Sequence, residues 1–176
     1  MADHISTGDS TGRLIEYDPE TKKARVLLSG LKGAGGVGAS KDGSFVLLSE
    51  FTGSRITKYW LTGPKKDTAE LLLDISGPAN MKLTSAGDFW VALNVATPAG
   101  NVPTGMRMNE NGKLLETLDF GGEPYNDTYI TEVHEYKGSI YVASIYVEFG
   151  AVYKKVSEEE KTLLGNVNLS EEFSSV

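Results

Sequence analysis

Three copies of one short pattern recur along this chain: Asp42-Gly43-Ser44-Phe45-Val46, Ala86-Gly87-Asp88-Phe89-Trp90-Val91 and Lys137-Gly138-Ser139-Ile140-Tyr141-Val142. In each, a turn glycine is followed, after one residue, by an apolar strand. The glycines stand 44 and then 51 residues apart, and a period near ~45 residues with several strands per unit is the mark of β-propeller blades. A further short run precedes each turn: Val37 to Ser40, Asn80 to Leu83, and Ile130 to Val133. These are read as the innermost strands, lining a central channel.

Within residues 42 to 74 an apolar run (Phe45 to Leu48), an alternating run (Ile56, Lys58, Trp60) and another apolar run (Leu71 to Leu73) are separated by Thr52-Gly53-Ser54 and Gly63-Pro64. β-Branched and aromatic runs broken by Gly, Pro and Asp read as short strands joined by tight turns. Gly12 to Tyr17 and Ala24 to Leu28 form a hairpin around Asp18-Pro19-Glu20-Thr21. Four strands per blade then gives an uneven count: two outer strands of one blade, two full blades over about 36 to 74 and 79 to 119, and three strands of another. The fold class expected is all-β, about three blades of four-stranded antiparallel sheets that do not close a ring. Residues 1–10 are read as a loose N-terminus, 11–155 as the partial propeller and 156–176 as an acidic, Ser-rich tail. Residues 95 to 105, with two prolines and two glycines, are read as a loop.

Composition removes several functions. With no cysteine there is no disulfide, thiol catalysis or thiolate metal site, and with only His4 and His134 there is no histidine-rich zinc site. A net charge of -7 argues against nucleic acid as a partner, since such binders neutralise phosphates with Lys and Arg. The acidity is read as solvated surface. No apolar run is long enough for a membrane span, and the start MADHISTGDS carries no signal-peptide pattern. The glycine-rich segment Gly30 to Gly38 lacks a Gly-Lys-Ser/Thr ending and a following helical pattern, so it is read as backbone that turns sharply into a buried strand rather than as a phosphate loop.

TGRLIEYDPETKK (11 to 23), residues 40 to 77, the Asn80-Met81-Lys82 triplet and GDFWVAL (87 to 93) together resemble the plant strictosidine synthase and strictosidine synthase-like family. The run Lys58-Tyr59-Trp60-Leu61, with Gly63-Pro64-Lys65, is the most specific part. The resemblance implies a six-bladed propeller about twice this length, of which this chain would be the C-terminal half, with a small-molecule site in the channel mouth. The founding enzyme condenses tryptamine with secologanin in a Pictet-Spengler reaction of alkaloid biosynthesis, which needs a base and apolar walls for the indole. In the family that base is a glutamate on the inner strand of the last blade. Matching the Glu135 to Gly138 turn puts Thr131 at the glutamate position and Tyr129 at a neighbouring histidine, while Pro98 falls near the family's histidine-bearing loop. Synthase chemistry is therefore expected to be absent, with Glu132 a surrogate base only if a bulge shifts the register.

Related lactonases hold calcium with Asn and Asp at inner-strand starts. Here Asn80 matches one such position, but Gly35 and Ala79 stand where other ligands sit, so no calcium and no other cofactor is expected. Asn80 is read as a ligand contact or a turn cap. Glu50-Phe51 is placed at the channel rim, touching substrate or solvated. Trp60 and Trp90 are read as packing between blades, His134 as an ordinary strand residue, and Tyr125, Tyr129, Tyr141 and Tyr146 as pocket wall or core.

Two other functions stay open: an ester or lactone hydrolase of the same superfamily, and a non-catalytic or truncated interaction protein that pairs with itself or a partner through open blade edges. Family resemblance implies a vacuolar or secretory location, and the missing signal pattern a cytoplasmic one. Asn126-Asp127-Thr128 and Asn168-Leu169-Ser170 match the glycosylation acceptor pattern, relevant if the protein is secreted.

Overall fold

A computed structural model describes residues 8–154. The expected 156–176 tail, His4 and Asn168 lie outside the described residues. Thirteen strands among them form four antiparallel sheets. β1 (Gly12–Asp18) pairs with β2 (Lys23–Leu31). The second sheet runs β3 (Ala34–Ala39), β4 (Phe45–Glu50), β5 (Arg55–Trp60), β6 (Ala69–Asp74), and the third β7 (Pro78–Leu83), β8 (Phe89–Thr97), β9 (Gly100–Met108), β10 (Leu114–Asp119). The last holds β11 (Glu132–Tyr136), β12 (Ser139–Ala143) and β13 (Gly150–Lys154). This two, four, four, three count is the one the turn spacing gives.

Burial explains why the repeated pattern is apolar at consecutive positions. Phe45 and Leu47 of β4 join Phe89, Val91 and Leu93 of β8 in one core, while Val46 and Leu48 face the other way onto Leu31 and Tyr59. Trp90 and Ala92 in turn face Val133, Ile140 and Val142 of the last sheet. Strands covered on both faces read as continuous apolar runs. β12 is covered on one face only, so Ile140 and Val142 are buried while Tyr141 and Ala143 are exposed.

The turns carry their own polar locks. Asp42 accepts hydrogen bonds from the Ser44 N–H at 3.0 Å, the Ser44 hydroxyl at 2.7 Å and the Ser40 hydroxyl at 2.8 Å. Those bonds, the Ser44 hydroxyl first, lower its pKa to about 2.

Three sequence expectations need correction. The glycine-rich segment turns only at its start, where Gly30 and Gly33 have φ of 81° and 60°; from Ala34 to Ala39 it is itself the inner strand β3, and most of that strand is exposed rather than buried. A Cβ on Gly36 would stand 2.6 Å from Asn80 Cα, so the glycine is there to let β7 lie against β3. Residues 95 to 105 are not a loop, because β8 and β9 continue to a two-residue tip at Pro98 and Ala99. Pro103 sits inside β9 where the pairing with β10 ends: its carbonyl accepts from the Phe120 N–H at 2.9 Å, it has no N–H to return the bond, and β10 stops at Asp119. The innermost strand of the last sheet begins at Glu132 rather than Ile130. Residues 129 to 131 are irregular backbone, since they bond sideways to the third sheet: the Asn80 N–H donates to the Thr131 carbonyl at 3.1 Å.

Candidate functional site

Where the inner strands begin, a cavity of about 500 Å³ opens between successive sheets. Its floor is small and close to backbone: Gly33, Ala34, Gly35 and Ala79. One wall is aromatic. Phe51 lies 6.4 Å from Tyr129 and Tyr129 lies 5.7 Å from Tyr146, ring centre to ring centre. Asn80, Asn94, Thr52 and Thr131 supply the polar groups, and Ile130 and Ile145 complete the lining. No Asp, Glu, Lys, Arg or His is among these described residues.

Four residues named from the sequence, Asn80, Phe51, Tyr129 and Thr131, therefore meet in one place. Thr131 donates its hydroxyl to the Ala143 carbonyl at 3.4 Å. Glu132 does not line the cavity. Its Oε2 accepts from the Asn80 amide at 3.3 Å and lies 3.6 Å from Lys82 Nζ, and its Oε1 is buried with no hydrogen-bond partner. Asn80 thus links the cavity to this carboxylate rather than capping a turn.

Glu50 is neither at the cavity rim nor solvated. It is completely buried on β4, accepting from the Lys32 N–H at 2.8 Å, the Thr57 hydroxyl at 3.0 Å, and Arg55 Nε and Nη2 at 2.7 and 2.9 Å. The β2–β3 connection needs an acceptor there, and the carboxylate provides it. Among the tyrosines, Tyr125 is buried core that donates to the Val142 carbonyl at 2.7 Å, and Tyr141 is exposed on β12. Tyr129 and Tyr146 line the cavity. Trp90 is fully buried between sheets, and Trp60 packs edge-on against Phe45 at 5.6 Å. His134 sits on β11 opposite Tyr141, and Asn126 is exposed in the segment that precedes Tyr129.

Sequence reasoning missed Asn94. Its amide donates to the Ile130 carbonyl at 2.9 Å and its oxygen accepts from the Ile130 N–H at 2.9 Å, a two-bond clamp from β8 to the last sheet. The signal was present: Asn94, like Glu50, is the polar residue seven positions after a turn glycine, ending an apolar run.

The donor set does not suit a calcium ion, which takes six to eight oxygens. Gly35 and Ala79 offer no side-chain oxygen, and no group of three or more His, Cys, Asp or Glu converges among the described residues. Adding calcium or a chelator is expected to leave the thermal midpoint of the purified protein unchanged; a calcium-dependent rise would overturn this.

Sheet order and cavity position define a β-propeller in part. The chain is similar in structure to the luciferin-regenerating enzyme (TM-score 0.61, 18% identity, 77% of this chain and 45% of that one). It is also similar to the calcium-binding protein regucalcin from Agrobacterium tumefaciens (TM-score 0.58, 12% identity, 93% and 52%). Such neighbours are six-bladed propellers, of which the chain covers roughly half. In sequence, a family model described as strictosidine synthase matches residues 1–64. Protein STRICTOSIDINE SYNTHASE-LIKE 11 of Arabidopsis thaliana is 40% identical over 154 residues, 85% of this chain and 46% of that protein. Strictosidine synthase of Catharanthus roseus is 39% identical over 146 residues, 81% of this chain and 41% of that protein. The chain belongs to the strictosidine synthase family, and spans less than half the length of these two relatives.

Proposed function

We propose that this chain forms one wall of a strictosidine synthase-like small-molecule channel and binds a ligand there without supplying the base that an amine–aldehyde condensation needs. The observation that carries this reading is Thr131. It lines the cavity, and its hydroxyl is directed to the Ala143 carbonyl; the sequence match reads it at the position of the family glutamate. A threonine hydroxyl does not remove protons near neutral pH unless a stronger base stands beside it. The nearest such group in sequence, Glu132, is turned to Asn80 and Lys82. Small floor residues and an aromatic wall suit an apolar ring system, with neutral polar groups to orient it.

Incubation of the purified protein with tryptamine and secologanin is expected to give strictosidine no faster than a protein-free control. Product formation that saturates with substrate would overturn the reading.

A further inference from the structure

We infer that the cavity selects neutral, planar aromatic molecules and discriminates against the same ring bearing an ammonium group. The inference rests on the binding reading above and deepens it.

A primary ammonium leaving water needs acceptors, and above all a carboxylate, to replace its hydration. The described lining offers no carboxylate. Of its side-chain acceptors, Asn94 is committed, with both polar atoms bonded to Ile130, and the others are neutral amide and hydroxyl oxygens. Glu132, the carboxylate that the Asn80 amide touches, already has Lys82 Nζ at 3.6 Å, and its Oε1 is buried. The carboxylate next in sequence to the lining thus already has a cation beside it.

An aromatic face also attracts a cation, but at exposed sites only weakly, by less than an ammonium loses on leaving water without a carboxylate partner. At 6.4 and 5.7 Å between centres, with interplanar angles of 54° and 52°, Phe51, Tyr129 and Tyr146 pack on one another as a continuous wall. A flat ring lies against such a wall over the small floor of Gly35 and Ala79. Asn80 lines the cavity with its amide nitrogen given to Glu132, which leaves its oxygen as the acceptor for a ring N–H or hydroxyl.

The test uses two probes of equal shape, tryptophol and tryptamine, which differ in a terminal hydroxyl against an ammonium. Isothermal titration of the purified chain at neutral pH is expected to show tryptophol binding about tenfold or more tighter, the discrimination an unpaired charge imposes. Thr131→Glu places a carboxylate in the lining and is expected to reverse the order, whereas Thr131→Gln, equal in size and neutral, is expected to keep it. Equal or tighter binding of tryptamine to the unsubstituted chain overturns the selectivity and leaves the cavity reading standing. Binding of neither probe overturns both. The comparison on the unsubstituted chain decides the matter even if a variant fails to fold.

Discussion

Replacing Asn94 by alanine is expected to lower folding stability by about 3 kcal/mol, because it leaves a buried N–H and a buried carbonyl without partners. The side chain is buried at 4% exposure, and its two bonds, each 2.9 Å, both go to the backbone of Ile130. Ile130 is itself fully buried, and the segment it belongs to has no sheet ladder to fall back on. Each orphaned group costs roughly 1–3 kcal/mol, and a cavity left by the lost amide adds to it. For a chain of this size about 3 kcal/mol corresponds to a fall of roughly 6–12 °C in the thermal midpoint. Asn94→Asp keeps the acceptor for the Ile130 N–H but sets a carboxylate against the Ile130 carbonyl, and is expected to be no better than alanine. A loss for Asn94→Ala below about 1 kcal/mol in urea titration would show that water replaces the clamp.

The second large effect is expected at Glu50. Its side chain is fully buried, while that of Arg55 is 40% exposed, so solvent screens the ionic part of the pair. What Glu50→Gln loses is chiefly one acceptor oxygen of an arrangement that takes four hydrogen bonds, from Arg55 Nε and Nη2, the Lys32 N–H and the Thr57 hydroxyl. A cost of about 2–3 kcal/mol near neutral pH follows. Burial pushes the Glu50 carboxyl up, but the hydrogen bonds from Arg55, the Lys32 N–H and Thr57 together outweigh it and hold the group below its ordinary value. A carboxyl whose folded pKa is depressed stabilises the fold fully above its unfolded pKa, near ~4.3, and loses that contribution as pH falls through the folded value. The gap between the parent protein and Glu50→Gln is therefore expected to be wide at neutral pH and to narrow in acid. Urea midpoints that keep the same separation in both conditions would mean that the charge of Glu50 contributes nothing.

Much of this architecture was legible because the outer environment of a blade writes itself into the strands. Phe45 to Leu48 and Phe89 to Leu93 are continuous apolar runs since a neighbouring sheet covers each face. The turn glycines were readable for a related reason: Gly43, Gly87 and Gly138 have φ of 72°, 99° and 78°, a region other residues rarely enter. The glycines of β3 misled, because in that strand they serve close approach of β7 rather than a turn.

The cavity was half legible. Asn80, Tyr129 and Thr131 came from positions matched to a family pattern, and Phe51 from its place at the end of an apolar strand. Glu50 was misplaced because its burial depends on Arg55 and on the Lys32 backbone, neither of which leaves a mark at Glu50 itself. The place of Asn94 at the end of an apolar run was visible in the sequence, but its role was not, because its partner lies 36 residues away along the chain.

The cavity floor and the seams between sheets are built from the same atoms. The Ser49 hydroxyl donates to the Ala79 carbonyl at 2.6 Å, Asn94 clamps Ile130, and the Asn80 N–H bonds to Thr131, and every one of these partners but Ser49 lines the cavity. Drift in ligand preference is thereby channelled. Positions such as Phe51, Ile145 and Tyr146, whose side chains line the space through apolar contact, are more open to exchange, whereas Ala79, Asn94 and Ile130, hydrogen-bonded between sheets, tie any new recognition to the survival of the fold. Diversification within such a scaffold proceeds along its rim and leaves its floor fixed.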